Sequence, residues 1–392
     1  MNKHIIFALK NKIGLLNKDS CEIFDSLYIK NYKEKRQEIR KKNEWKHTGT
    51  GAQFRGDFHG PSIENIEEIN DGSMINGITF IEDGKKIIYS ASIEQSCGIF
   101  IKDICDLTTK ESYIMHGTAT HFYNIDYNPK LDKLVVSMQD TNFQHNIAIL
   151  NKETSDYQVI TEGDTLDDNP IWGKSNINTI YYDSTGIARN NNDIVVSYAP
   201  KVINMLDINT GALDEIVSIP NYDCFLPRID HEDNIYFIKK PYELPKNNTS
   251  IIDILLIPYK LLKGIYHFLN FFTMKYTGDA FTSKGNNPAK IRNSDEKTIF
   301  INGNLINAEK SLKTNKSKGM KYPGIAPQSW ELMKLNKNGQ INTVKKGIID
   351  FDIDKEGNIV YSNGKYLIQL KTDGSEEVLD KCDLAQKIRI CN

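Results

Sequence analysis

Short apolar runs with period-two alternation, separated by tight polar turns, recur along most of this chain. Five stretches share one outline: FIEDGKKIIYS from Phe80, YNPKLDKLVVS from Tyr127, WGKSNINTIYY from Trp172, IDHEDNIYFI from Ile229 and IDKEGNIVYS from Ile353. In each, a bulky residue closes one strand, a polar turn follows, and an alternating apolar run opens the next strand. That is the outline of a β-hairpin. The first three recur at about 45 residues, which is blade spacing for a β-propeller and too long for leucine-rich or hexapeptide solenoids. The runs are rich in Ile, Val, Tyr and Phe, as half-buried antiparallel strands require. The expected architecture is therefore all-β: a six-bladed β-propeller with an N-terminal helix and a helical insertion in blade four.

The pattern sets the expected boundaries. Residues 1–62 read as an N-terminal helical and lead-in segment, and residues 63–392 as the propeller. Blade one runs to about Met115, blade two to about Thr161 and blade three to about Ile219. Blade four opens at CFLPRIDHEDNIYFIKKPY, is interrupted by an insertion at about 242–325, and resumes at SWELMKLNKNGQINTVKKG. Blade five covers Ile348 to about Leu379. The sixth is composite: KIRI at Lys387–Ile390 joins strands before residue 75, so that no sheet edge stays open. A helix is expected from Ser20 to about Asn43, with Asp19 and Glu22 as a capping box and Ile23, Leu27 and Ile39 on one side. Its second half is strongly basic, which fits a solvated face with one docked side; no nucleic-acid partner is expected.

The insertion breaks the strand pattern. Within IIDILLIPYKLLKGIYHFLNFFTMKY, Ile251 to Tyr276, the polar residues Asp253, Lys260, Lys263, His267 and Asn270 recur at helical intervals and form one narrow stripe. Pro258 starts or kinks the helix. The remaining face is apolar, with Leu261, Leu262, Ile265, Phe268, Leu269, Phe271 and Phe272 as candidate contact residues. Three fates compete for it: packing on the propeller or on the flanking hairpin Thr298–Asn307, lying in a membrane interface with lysines snorkelling, or docking into a partner groove. A transmembrane span is disfavoured, because Asp253, Lys260 and Lys263 would each cost about 2.5 to 3.5 kcal/mol at mid-bilayer.

Composition narrows the function classes. With 39% hydrophobic residues in 392, the chain can bury a large core. The formal net charge of -2 provides no overall field toward nucleic acid or anionic lipid, so any such attraction is local. Cys21, Cys97, Cys105, Cys224, Cys382 and Cys391 form no CxxC pair and no metal-ligand spacing, which fits a reducing compartment. Lys10 and Lys12 interrupt the N-terminal apolar run before it reaches the length of a secretory signal. The expectation is a cytoplasmic protein, peripheral at the inner face of the membrane where the helix engages lipid. The Lys, Asn and Ile bias suggests an AT-rich bacterial genome.

The Asp167-Asp168-Asn169-Pro170-Ile171-Trp172 strand start, followed by a hairpin, resembles the TolB-type repeat. That repeat is found in six-bladed propellers and in the propeller halves of prolyl oligopeptidase-like peptidases. The resemblance covers roughly residues 65–380 outside the insertion and implies a fold, not an activity. The family's Ser-Pro-Asp-Gly turn becomes Ile81-Glu82-Asp83-Gly84 in one hairpin and Asn128-Pro129-Lys130-Leu131 in another. The peptidases carry a hydrolase domain with a G-x-S-x-G elbow, which this sequence lacks, and serine peptidase activity is rejected.

No H-E-x-x-H, Walker or EF-hand pattern occurs, and His116 and His121 around GTAT lack a third ligand at recognisable spacing; neither a metal nor another cofactor is expected. The acidic run Asp164 to Asp168 reads as turn capping. Aligning the blades brings His121, Asn124, Asp168, Arg228 and Asp350 to the axial channel. There they form either a self-neutralising buried ion-pair ring or a small-molecule site. The leading expectation is a non-enzymatic interaction scaffold whose helical insertion meets a membrane surface or a protein partner. The alternative is a small-molecule- or metal-binding propeller, a lyase, hydrolase or ligand sensor using the channel.

Overall fold

The computed structural model describes residues 4–18, 20–43, 72–118, 120–139, 144–192, 194–243, 298–301 and 304–391. The chain divides into two compact units, one of residues 1–34, 70–242 and 299–392, the other of residues 35–69 and 243–298. The apolar stretch 251–276, with all seven of its candidate contact residues, lies outside the described residues.

The chain starts with strands. β1 (Ile5–Leu9) and β2 (Lys12–Leu16) form a hairpin around Lys10-Asn11, and β3 (Cys21–Asp25) adds antiparallel to β2. The expected helix from Ser20 is corrected here: α1 spans Leu27–Asn43. A helix must nucleate before it propagates, whereas residues 21–25 extend a ladder already begun by β1 and β2. The expected docking face is corrected too, since Ile23 and Ile39 are 53% and 59% exposed. Tyr28, Ile29 and Tyr32 pack on the core instead, one turn round the helix. Ser26, fully buried, accepts the Ile29 amide at the helix start and the Tyr89 hydroxyl.

Antiparallel meanders follow. β4 (Met74–Ile81), β5 (Lys86–Ile93), β6 (Ser96–Asp103) and β7 (Ser112–Gly117) pair in sequence order. β8 (His121–Asn128), β9 (Lys133–Gln139), β10 (His145–Asn151) and β11 (Tyr157–Val159) repeat that order. In the next group β12 (Thr165–Trp172) pairs with β13 (Thr179–Arg189), whose outer end carries the short β14 (Val195–Tyr198). β15 (Val202–Asp207) and β16 (Leu213–Val217) complete that group, which a single parallel bridge, His145 opposite Leu166, joins to the preceding one.

β17 (Tyr222–Ile229) and β18 (Ile235–Pro241) pair as the next hairpin. Then come the predicted flanking hairpin, β19 (Thr298–Ile301) with β20 (Asn304–Asn307), and α2 (Ala308–Ser317), capped by the Asn307 side chain. The interrupted sheet resumes as β21 (Glu331–Leu335) on β18, with β22 (Ile341–Lys346) outermost. β23 (Asp350–Ile353), β24 (Ile359–Ser362), β25 (Leu367–Leu370) and β26 (Glu376–Asp380) form the last meander. Finally β27 (Gln386–Ile390) returns to β1, so the chain's last strand and its first three share one sheet.

All five hairpins read from the pattern are present, as β4–β5, β8–β9, β12–β13, β17–β18 and β23–β24. Each first strand lies against the next group's first strand: β4 on β8, β8 on β12, β12 on β17, β17 on β23, β23 on β27 and β27 on β4. This closed circuit puts six strands around one axis.

Candidate functional site

The strands around the axis are irregular at one level. Register shifts fall between Ile75 and Gly77 in β4, Phe122 and Ile125 in β8, Asp168 and Ile171 in β12, and Phe225 and Arg228 in β17. β1 shifts against β27 between Ile6 and Ala8. Bulges re-aim side chains and take main-chain groups out of the ladder. Asn169, Leu226 and Lys387 take positive φ at these places, which few non-glycine residues adopt.

Main-chain amides along the inner strands, some of them at the bulges, need acceptors when buried, and aspartates of neighbouring strands supply them. Asp126 accepts the Trp172 amide at 2.9 Å, Asp183 the Leu226 amide at 3.0 Å and Asp352 the Ile390 amide at 2.8 Å. Asp350 takes two, from Lys387 at 2.9 Å and Ile388 at 3.2 Å. Asp126, Asp350 and Asp352 join one inner strand to the next, and Asp183 joins the second strand β13 to β17.

Two charged layers occupy the axis. In the first, Asn124 donates to Asp168 at 2.6 Å, Asn169 to Asp183 at 2.6 Å, and Lys201 pairs with Asp183 at 2.8 Å. Burial pushes the Asp168 carboxyl up, but Lys387, Lys201 and His145 outweigh it and hold the group below the usual carboxylate range. Burial pushes Asp183 up, with Lys201 opposing. Burial depresses the Lys387 ammonium, with Asp168 and Asp350 opposing.

The second layer holds Arg228 and Arg389, which are 5% and 8% exposed, with Asp126 and Asp352. Arg228 Nη1 donates to the Pro227 carbonyl at 2.8 Å, and its Nε lies 3.6 Å from Asp352, beyond a good hydrogen bond. Arg389 donates to the Ile388 and Ile125 carbonyls at 3.0 and 3.5 Å. Burial first, and Arg389 second, pull the Arg228 guanidinium down to about 10. Burial raises the Asp352 carboxyl against the two arginines. This layer lines a cavity of about 140 Å³.

Four of the five channel residues read from sequence therefore sit on inner strands and are buried or engaged there: Asn124 with Asp168 in the first layer, Arg228 in the second, and Asp350 at the start of β23, bonded to the closing strand β27. His121 opens β8 opposite Gln139 and is partly exposed; among the described residues no hydrogen bond joins it to the other four. Sequence reading missed Asp126, Asp352 and Arg389. The signal was there: Asp126 and Asp352 follow Asn124 and Asp350 by two, the same face of the same strand. Arg389 stands in the KIRI strand recognised as the closing element. Among the described residues no group of three or more His, Cys, Asp or Glu is arranged to hold a metal ion, and no helix is long and apolar enough to cross a membrane.

No protein-family model matches the sequence, and no curated protein matches it. Solved structures do match the fold. TolB from Acinetobacter baumannii superposes with a TM-score of 0.52 at 10% identity, covering 99% of this chain and 66% of the TolB chain. A chain of the nidogen/laminin complex superposes with a TM-score of 0.50 at 9% identity, covering 100% of this chain and 98% of the other. The present chain spans about two thirds of that TolB chain, and at such identities the likeness is one of backbone. What the chain shares with both is an all-β propeller fold, and at the level of fold it is TolB-like.

Proposed function

We propose that the chain is a non-enzymatic, six-bladed β-propeller that serves as a cytoplasmic interaction scaffold for a protein partner. The blade count rests on five four-stranded meanders plus the sheet shared by the chain ends. One matched chain was solved within a nidogen/laminin complex, which favours a binding role for the present ring as well.

The observation that carries the reading is the β13–β14 ribbon. β13 runs to Arg189, and β14 pairs with it over Ile187–Arg189, the turn between them closed by the Asn190 side chain on the Ile194 amide. Ile194 and Val196 are 59% and 57% exposed, and Val195 and Tyr198 are exposed beside them. Apolar residues clustered on a short β-ribbon at the edge of a sheet offer both side-chain and main-chain contacts to another chain. The apolar stretch 251–276 is assigned as a second contact element, for the same partner or for a membrane surface.

The test is site-specific photocrosslinking in cells, with the reactive residue at position 198 and a control at Lys371 on a distant turn. One protein joined at 198, absent at 371 and lost in a Val196→Lys background, supports the scaffold. Equal labelling at both positions overturns it. Liposome co-sedimentation with Phe268→Glu and Phe272→Glu variants separates lipid from protein as the target of the second element: sedimentation of the wild type alone means lipid.

A further inference from the structure

The second axial layer has more hydrogen-bonding capacity than its own residues use. Two guanidiniums carry ten N–H donors, yet among the described residues Arg228 makes one hydrogen bond and Arg389 two, all to main-chain carbonyls. Among the described residues the buried Arg228 Nε has no hydrogen-bond partner, and its nearest carboxylate oxygen stands at 3.6 Å. On the acid side, Asp126 and Asp352 each give one oxygen to an amide, through Oδ2 in both cases. Asp352 Oδ1 is the oxygen that stands 3.6 Å from Arg228 Nε.

A self-neutralising quartet would bring guanidinium and carboxylate together in bidentate contact, the geometry in which such pairs are strong. The observed spacing stops short of that, and leaving a buried donor unmet is unfavourable. Both signs of charge therefore face a common space with capacity to spare.

That space is about 140 Å³, close to the ~150 Å³ of an engineered apolar cavity that admits benzene. It suits a molecule of roughly that size. Phe80, Ile229 and Ile353 give it apolar walls, and Lys174 stands exposed at its lip. Lys174, Arg228 and Arg389 are opposed by Asp126, Asp352, Asp230 and Asp354, so a dianion is disfavoured. Asp230 and Asp354 are occupied in their own turns, each accepting amides of the following residues.

We propose that this cavity binds a small zwitterion, a free α-amino acid, with its carboxylate on Arg228 and Arg389 and its ammonium toward Asp126 and Asp352. The site is independent of the scaffold reading and stands whether or not a protein partner docks elsewhere.

The experiment is thermal denaturation and isothermal calorimetry of the full chain with the twenty common amino acids, and with acetate, methylamine and inorganic phosphate as single-charge and dianion controls. One or more small amino acids raising the melting temperature in a dose-dependent way, with the controls inert at equal concentration, supports the proposal. Arg389→Met is expected to weaken that binding about tenfold or more, as loss of a charge-assisted pair does. Lys174→Glu, at an exposed position, is expected to weaken it several-fold by placing a negative charge at the lip of a site that holds the ligand carboxylate, with circular dichroism checking that the variant folds. Acetate or phosphate binding as well as any amino acid, or no amino acid binding the wild type at all, overturns it.

Discussion

The Asp350 carboxylate accepts the main-chain N–H of Lys387 at 2.9 Å, across 37 residues of chain. Its other oxygen takes the Ile388 amide at 3.2 Å, so one side chain holds the strand that shares a sheet with the N-terminus. Asp350 is 1% exposed, and water does not replace it. Orphaning a buried amide costs ~1–3 kcal/mol. Asp350→Ala is expected to destabilise the protein by several kcal/mol in urea denaturation, and Asp350→Asn, which keeps one acceptor, by roughly half as much. Equal midpoints for wild type and Asp350→Ala would show that β27 is held without this contact.

The hairpins were legible in the sequence because each repeats one physical motif: a bulky residue, a polar turn, an alternating run. The chain start follows the same grammar, with Ile5–Leu9, Lys10-Asn11 and Lys12–Leu16 pairing residue for residue. It was obscured because the two lysines also interrupt an apolar run, and the following segment has helical spacing. Charge on the axis was only partly legible. Asn124, Asp168, Arg228 and Asp350 follow from aligning strands, but Asp183 lies on the second strand β13 and Lys201 just before β15, and only the closed circuit brings them to the axis. Their role depends on bulges, which one-residue insertions create and no period-two pattern announces.

Gly77 is where one inner strand touches the next by backbone. A Cβ there would stand 2.5 Å from the Tyr123 carbonyl oxygen and 2.8 Å from Asn124 Cα. Neither can rotate away as a side chain would. Gly77→Ala is therefore expected to lose stability by ~1–3 kcal/mol. Gly117 is the control: at the end of β7 nothing among the described residues lies within 4 Å of its would-be Cβ. There alanine is expected to be neutral or stabilising by ~0.4–1 kcal/mol, through the unfolded chain. Chemical denaturation of both variants reads the difference, and similar losses would remove the strand-contact argument.

Thiol chemistry offers a probe of the same interior. All six cysteines are free, and Cys97, Cys224 and Cys382 are buried, the first with its thiol pushed up by burial to about 11 and the other two to about 12. Reactivity follows the thiolate and its access. Cys105, exposed, is expected to react first with an aromatic disulfide reagent at neutral pH, and Cys97, Cys224 and Cys382 only on unfolding. Mass spectrometry of partially labelled protein assigns the order. Early labelling of Cys224 would mean that the sheet containing β17 opens on its own.

His145 connects the axis to pH. It starts β10 at the parallel bridge to β12, stacks on Tyr123 at 4.7 Å, and its ring is driven below the usual imidazole range by burial, with Asp168 opposing. Between the folded value and the unfolded value near 6.5, the unfolded chain binds more protons than the folded one, so stability rises with pH there. Conversely, as pH falls below about 6.5 the unfolded state takes up a proton at this histidine first, and the folded state loses ground until its own ring titrates. Urea midpoints for the wild type are expected to fall between pH 7.5 and pH 5. His145→Gln, which carries no titrating ring, should flatten the part of that slope that sets in as pH falls below about 6.5 while leaving carboxylate-driven losses at lower pH in place. An unchanged slope in the variant would assign the pH response to the axial carboxylates instead.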